Sequence, residues 1–405
     1  MPHSPGELPQ RLRNARLQSG LTQEQVADYL GVRRPAIAEI EAGKRAVKSD
    51  ELIRLSEVYG KTLKWLVQGT ETPEDRMAGA LFRADQPTSP LLKREVAKLA
   101  RRCRLVGDLE AKLALERHHQ RLPRYANERA LGDFSLAAHH GAEVAYQERS
   151  RLKIGVAAPI RDVWGLVEDA GLHVFPLHLG RDGEIDGIFT RLDDSRACVG
   201  VNVEKWVFRQ VFTVVHEYAH ALMDDDTSAE ACATSRGWTT AKRTVYNNRE
   251  FRANQFAAVF LVPVEALLRY FETREKLRRG HPLQLTPMDV VRAQDHFGVS
   301  AEMLLWRLQE EHLIHAVGRK ELAQRLAEIG VIALARALGY DWRDRAQPFT
   351  RVHELALKGY AKGLITLGVL AELFDRPKEE MYGLMRTWGI VQELAADDAL
   401  VGATT

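Results

Sequence analysis

The sequence predicts a mainly α-helical protein with one small β-sheet, an α+β architecture built from several domains. Three observations carry this. The chain has 405 residues, more than one hydrophobic core normally organises. Apolar residues recur at helical spacing over 6–69 and again from 264 onward, the pattern of helices with one buried face. Only between 172 and 203 do short runs rich in β-branched and aromatic residues replace that period, which is how strands read.

Taken in order, residues 6–69 read as five short helices separated by Ser19-Gly20, Gly31, Gly43, Val47 to Ser49 and Gly60, residues that end helices or turn the chain. Residues 70–130 read as a linker with prolines at 73, 87 and 90, followed by a basic helix. On that helix Leu92, Val96, Leu99, Cys103, Val106 and Leu113 form a stripe that packs on the next domain or on a partner helix. Within a third domain, 131–315, helices are expected near 135–149 and 159–170. Strands follow in LHVFPL, DGIFTRL and RACVGVNV, then an apolar helix from Trp206 to Met223 and another from about Arg249 to Leu261, stopped by Pro263. Residues 316–405 form a helical C-terminal domain, in which Leu367 to Phe374 and Pro377 onward make a helical pair resembling a short helix-turn-helix. No internal repeat is evident.

Composition narrows the function classes. With 45% hydrophobic and 28% charged residues, the chain has the profile of soluble globular domains rather than disorder. Its apolar runs are broken by charge before the roughly 20 residues of a membrane span, and the N-terminus lacks a leader pattern, so no membrane partner and a cytoplasmic location are expected. Cys103, Cys198 and Cys232 are the only cysteines and form no CxxC pair, which leaves His and carboxylates to hold any metal. Residues 1–69 carry 11 Lys/Arg against 8 Asp/Glu, and residues 88–125 carry 10 against 4. Such an excess suits a phosphate backbone or a solvated face.

The segment LTQEQVADYLGVRRPAIAEIEAGKR, 21–45, has the mechanics of two helices joined by a tight turn. Thr22 is placed to cap the second helix with Gln25 completing a capping box, and Val26, Ala27 and Leu30 face inward. Gly31 makes the turn. Val32, Ile37 and Ile40 bury the inner face of the third helix, which leaves Arg33, Arg34, Pro35, Ala38 and Glu39 to face a major groove. Arg16, Lys44, Arg45 and Lys48 are phosphate contacts or plain surface, and Glu41 is a structural pairing residue. TQEQVAD, the IxxIExGKR ending and LIRLSEVYG resemble the Cro/repressor or XRE family over 7–69. The resemblance implies a homodimer on a double-stranded DNA operator, with Thr22 and Gln23 on phosphate, Arg34 reading guanine and Lys44 supporting the backbone. Pro35 replaces a polar residue common in that family.

The segment FTVVHEYAHALM contains His216, Glu217 and His220 as HExxH inside an apolar helix. Residues four apart share a face, so both imidazoles reach one metal while Glu217 aligns with the attacking water. Glu250, 30 residues after His220, is the expected third ligand, with the Asp cluster 224–226 as its rival. Asn254 steadies the site from one turn later. For the oxyanion, Tyr218, Tyr246, His173 and His178 stay unranked. RxxFTxxHExxH followed by ExxANxFAAxxLxP resembles the ImmA/IrrE metallopeptidases across 135–265. Arg252 stands where a second Glu is common, and Val215 where Ala is. That resemblance implies zinc, or manganese in its place, with Glu217 catalytic and a protein substrate, since such enzymes cleave helix-turn-helix repressors of phage, mobile-element or stress genes. The expected function is a DNA-binding regulator that cleaves itself or a partner repressor. Two alternatives are a non-cleaving factor with a ligand- or metal-sensing peptidase-like domain, and a general peptidase whose N-terminal helices bind protein.

Overall fold

A computed structural model describes residues 7–18, 21–59, 61, 63–69, 90–113, 122–181, 185–193, 196–224, 245–277, 281–342 and 350–388. The expected linker at 70–89, Asp225 and Asp226, and the Ser19-Gly20, Gly60 and Gly280 turn signals lie outside the described residues.

The N-terminal unit holds α1 (Glu7–Gln18), α2 (Gln23–Leu30), α3 (Arg34–Glu41), α4 (Ser49–Tyr59) and α5 (Leu63–Gln68). Thr22 accepts the Gln25 amide while the Gln25 side chain returns to the Thr22 amide, so two donors that a helix start leaves unpaired are satisfied reciprocally. α2 ends at Gly31, whose φ of 69° is left-handed and suits a residue without Cβ. Leu12, Val26, Ala27, Ile37, Ile40, Leu55 and Leu66 close a core belonging to this unit alone.

The rest of the chain is organised by the sheet. β1 (His173–Leu177), β2 (Gly187–Asp193) and β3 (Arg196–Asn202) lie in the order β1-β3-β2, with β1 parallel and β2 antiparallel to β3. Side chains alternate across a strand, and here both faces are buried. Val174, Phe189, Val199 and Val201 enter one core, while Phe175, Leu177, Ile188 and Cys198 enter the other.

The first core gathers α7 (Phe134–Arg151), α8 (Val163–Asp169), α9 (Val207–Met223), α10 (Val245–Leu261) and α11 (Val264–Glu272). It continues into α12 (Pro287–Phe297), α13 (Ala301–Glu310), α14 (Ala316–Ile329) and α15 (Val331–Ala337). By length and composition Asn248–Glu272 would also pass for a membrane span, a longer apolar stretch than the sequence reading expected, but 72% of its most apolar window is buried in this core.

The second core is made by α6 (Pro90–Lys112), α16 (Arg351–Ala361), α17 (Leu367–Leu373) and α18 (Lys378–Thr387). The stripe of α6 lies on the sheet, where a Cβ on Gly200 would meet Leu99 Cδ2 at 3.0 Å. Packing, not a coiled coil, accounts for that stripe within the chain. Part of its basic excess is also answered internally. Arg101 pairs with Glu372 at 2.6 Å, and Lys98 and Arg102 both face Asp375.

Glu168 at the end of α8 joins the two cores. Its buried carboxylate accepts the Arg351 amide at 2.6 Å and the Val174 amide at 3.4 Å. Burial pushes it up to about 7, which the backbone donors offset only in part. A carboxyl raised in the folded state binds its proton more tightly there than when unfolded, so stability is greatest below about 4.5 and declines as pH rises towards 7. Glu168→Gln should flatten the pH dependence of the melting transition between pH 4.5 and 8, removing a slope worth about 2–3 kcal/mol. Scanning calorimetry of both proteins across that range checks it, and parallel curves would refute it.

Candidate metal centre and nucleic-acid interface

α9 is apolar around most of its circumference, with Val214, Val215, Ala219 and Ala221 fully buried. Into this environment it carries His216 and Glu217, both without solvent exposure, and His220. The helical repeat puts the two imidazoles on one face, with their Nε2 atoms 3.1 Å apart. α10 brings Glu250 to the same point, Oε2 lying 3.3 Å from His216 Nε2 and Oε1 3.5 Å from His220 Nε2. A tetrahedral ion with bonds of about 2.0–2.2 Å needs ligand atoms roughly 3.3–3.6 Å apart. The triad is therefore spaced as ligands of one cation would be.

Asp224, the C-cap of α9, accepts from Nδ1 of His220 at 2.5 Å, and Arg252 of α10 pairs with the other oxygen of that carboxylate. Burial opposes charge on His220, yet Glu250 and Asp224 together push it up to about 9. For Asp224 burial again acts against the charge, and His220 and Arg252 outweigh it, holding the acid below its ordinary range.

Glu217 differs from these paired groups. Among the described residues no side chain donates to either carboxylate oxygen, and burial pushes the acid up to about 8, with His220 and the nearby Phe189 amide countering only part of that. It lies against β2 where Gly187 stands. A Cβ there would sit 2.3 Å from Thr213 Cγ2 and 3.0 Å from Glu217 Oε1, so only glycine lets strand and helix come this close. The start of α9 is fixed by Arg209, which donates to Asp186 through Nε at 2.7 Å and pairs with it through Nη2 at 2.6 Å.

In the N-terminal unit Arg33, Arg34, Pro35 and Glu39 are exposed and Ala38 is half-buried, all along one side of α3. Lys44 and Lys48 are exposed beyond it. Beneath them Glu41 is buried, taking Arg16 at 2.6 and 3.1 Å and the Gln23 amide at 3.0 Å. Arg45 pairs with Glu51 at 2.6 Å. Arg16 and Arg45 are thus part of the scaffold, while the arginines at the start of α3 face outward.

The helix-turn-helix family model matches residues 12–66, and the IrrE N-terminal-like domain model matches residues 167–309. The chain joins an XRE-like helix-turn-helix domain to an IrrE/ImmA-like peptidase domain. Among curated proteins it is similar to the SPbeta prophage-derived uncharacterized HTH-type transcriptional regulator YonR of Bacillus subtilis (strain 168), 32% identical over 66 residues, which are 16% of this chain and 61% of that one. It is also similar to the uncharacterized HTH-type transcriptional regulator YqaE of the same organism, 37% identical over 60 residues, 15% of this chain and 52% of that one. The matches therefore span about half to three-fifths of those relatives and 15–16% of this chain. No solved structure matches it.

In the IrrE-like domain, His216, His220 and Glu250 come within ligand distance of one another, and Glu217 is buried on the same helix as the two histidines. Asn254 is half-buried one turn beyond Glu250, and among the described residues it makes no hydrogen bond to the triad. Asp224, read as a rival ligand, instead faces the ring nitrogen of His220 turned away from the triad. Gly187 and Asp186 had no assigned part, and Arg252 stood only as a replacement for a second Glu that could tune the site. The HxxxD spacing from His220 to Asp224 was the one available signal for the first of these contacts. Of the oxyanion candidates, the Tyr218 hydroxyl is engaged by Glu148 and Arg151, His173 by Glu110 at 3.5 Å and His178 by Asp375 at 3.4 Å. The side chain of Tyr246 lies outside the described residues.

A carboxylate behind a ligating imidazole fixes its tautomer and raises its basicity. Asp224→Asn should weaken zinc binding by about 10–100-fold with the helical content unchanged. Competition against a chromophoric chelator measures it, and equal affinities would assign Asp224 to helix capping alone.

Proposed function

We propose that the protein is a DNA-binding regulator whose IrrE-like domain hydrolyses a peptide bond, in its own chain or in a partner repressor. Glu217 carries this reading. A buried carboxylate serving only structure is normally paired, whereas among the described residues this one has no side-chain partner and lies beside three converging ligand groups. A non-cleaving sensor needs the three ligands and has no use for the second glutamate.

Two imidazoles and one carboxylate are the donor set of a catalytic zinc with one position left open, and manganese accepts the same donors. Zinc there would polarise the scissile carbonyl and acidify water. His216, His220 and Glu250 would hold it, and Asp224 keeps His220 turned towards it. Glu217 takes the proton of the attacking water and delivers it to the leaving amine, a task that favours an acid whose pKa lies near neutrality. The apolar packing of α9 keeps bulk water from competing.

At the other end, α3 enters the major groove and reads guanine through Arg34, with Arg33, Pro35, Ala38 and Glu39 along the base edges. Thr22, Gln23 and Lys44 hold the phosphates. A homodimer in the cytoplasm binds half-sites about one helical turn apart. A cut within 69–90 would detach this reader from the rest of the chain and forfeit the avidity of the pair.

Glu217→Gln should retain zinc and operator binding and abolish cleavage, because it removes the proton acceptor and spares the ligands. Mass spectrometry of protein incubated with zinc or manganese, with and without operator-like duplex and a candidate repressor, reads this. If wild type and variant give identical fragments, or neither cuts anything, the peptidase reading fails.

Arg34→Ala should cost roughly 1–3 kcal/mol and relax base preference, whereas Lys44→Ala should weaken all sequences alike and lower the salt slope by about one. Fluorescence anisotropy over a salt series separates the two. Unchanged specificity in Arg34→Ala would show that α3 is set in the groove in another register.

A further inference from the structure

The C-terminal helices repeat the geometry of the N-terminal reader. Thr366 caps α17 as Thr22 caps α2, each accepting the amide three residues on. Leu370 and Ala371 are buried where Val26 and Ala27 are. The turn passes through a left-handed residue in both, Asp375 at φ 52° and Gly31 at 69°. The same two bonds close it, Asp375 N to Glu372 O and Arg376 N to Ala371 O, matching Gly31 N to Asp28 O and Val32 N to Ala27 O. Met381 of α18 is then buried as Ile37 of α3 is. Every residue named lies 344 positions after its counterpart, so the chain does contain a structural repeat, one that only a shared threonine and alanine among these pairs could have announced.

The two units present different surfaces. Where α3 begins Arg33, Arg34, Pro35, the second begins Pro377, Lys378, Glu379, Glu380. Lys378 stands at the counterpart of Arg34 and Arg376 pairs with Glu380 at 3.4 Å, but Glu379 replaces Pro35, where a carboxylate suits the dipole of α18 and opposes the phosphates a reading helix must approach. Its exposed stripe is Glu379, Tyr382, Gly383 and Arg386, spaced by three, four and seven residues and therefore on one face. Among the described residues neither Glu379 nor Arg386 has a hydrogen-bond or ion-pair partner. Seven residues of helix hold them about 10 Å apart, too far to answer each other.

We infer that α18 is a self-association surface on which a second copy of the chain lays its own α18, antiparallel, across a two-fold axis. An isologous contact must be complementary to itself, and this stripe is. An axis through Tyr382 and Gly383 sets Glu379 of each copy against Arg386 of the other. Gly383 lies at the crossing, and a Cβ there would meet nothing within 4 Å, which leaves room for the two backbones to approach. Tyr382, 43% exposed, supplies the aromatic area that interfaces favour. The inference rests on the proposed function only for its purpose, the pairing of two α3 readers on one operator.

Sedimentation equilibrium of the full chain tests it. Glu379→Arg alone and Arg386→Glu alone should each weaken the dimer roughly tenfold or more by setting like charges together, and the double exchange should restore it, a rescue that misfolding would not give. Zinc content and Arg34-dependent DNA binding, read on the same variants, keep this outcome separate from the fate of the peptidase reading. A wild type that stays monomeric, or a dimer indifferent to both reversals, overturns the inference. So does an unchanged dimer whose DNA affinity follows the charge of α18, which would make that helix a second reader.

Discussion

The IrrE-like domain is built around one costly placement, that of His216, Glu217 and His220 in the middle of a helix otherwise fit for a dry core. Polar groups removed from water must find partners or a cation, and the neighbouring elements are arranged to supply them. α10 delivers Glu250 because it crosses α7 closely. A Cβ on Gly141 would sit 2.3 Å from the carbonyl of Arg252, so a larger residue at 141 would force the helix bearing the third ligand outward. Gly187 plays the same part on the strand side, where it sets β2 against Glu217. Two glycines, on elements that contribute no ligand, thus determine how tightly the four acid-base groups are held.

The outward face of the site is held by charge rather than shape. Asp224 ends α9 and bonds back to His220, and Arg252, from the helix that carries Glu250, closes on Asp224. The two helices that carry the triad are therefore tied twice, once at the triad and once behind it. A displacement of α10 alters the orientation of His220 as well as the position of Glu250. Removing a methylene elsewhere in the core would cost stability, while a change here would cost geometry first, because imidazole direction is set by a single hydrogen bond.

Much of this was legible in the sequence. The three strands fall where alternating β-branched residues put them, and Glu250 was found because a second apolar helix with a carboxylate at its start follows the first His-bearing one. Two kinds of feature were not legible. Asp224 is four residues from His220, a spacing that serves a ligand and an orienting acid equally well, and only the direction of the ring decides between them. The basic excess on α6 suited either phosphate or solvent because, apart from Glu95 beside Lys98, its counter-charges Glu372 and Asp375 are more than 260 residues away in the chain. Long-range ion pairs leave no local pattern.

The repeated helix-turn-helix unit shows why shape and chemistry were unequally readable. Its geometry is set by buried or turn positions such as Thr22 and Thr366, Ala27 and Ala371, Gly31 and Asp375, where many residues meet the same steric demand. Asp375 takes a left-handed conformation that glycine adopts more cheaply, and the contacts of its carboxylate with Lys98 and Arg102 give that choice a reason. Its work lies in docking the unit on α6, which Gly31 has no need to do. What each unit can bind is set instead by exposed residues that the fold leaves free to vary, Arg33, Arg34 and Pro35 at the start of α3 and Lys378, Glu379 and Glu380 at the start of α18. One backbone plan therefore supports different exposed side chains at the two ends of the chain, and function has to be argued from the exposed side of each helix rather than from the motif that places it.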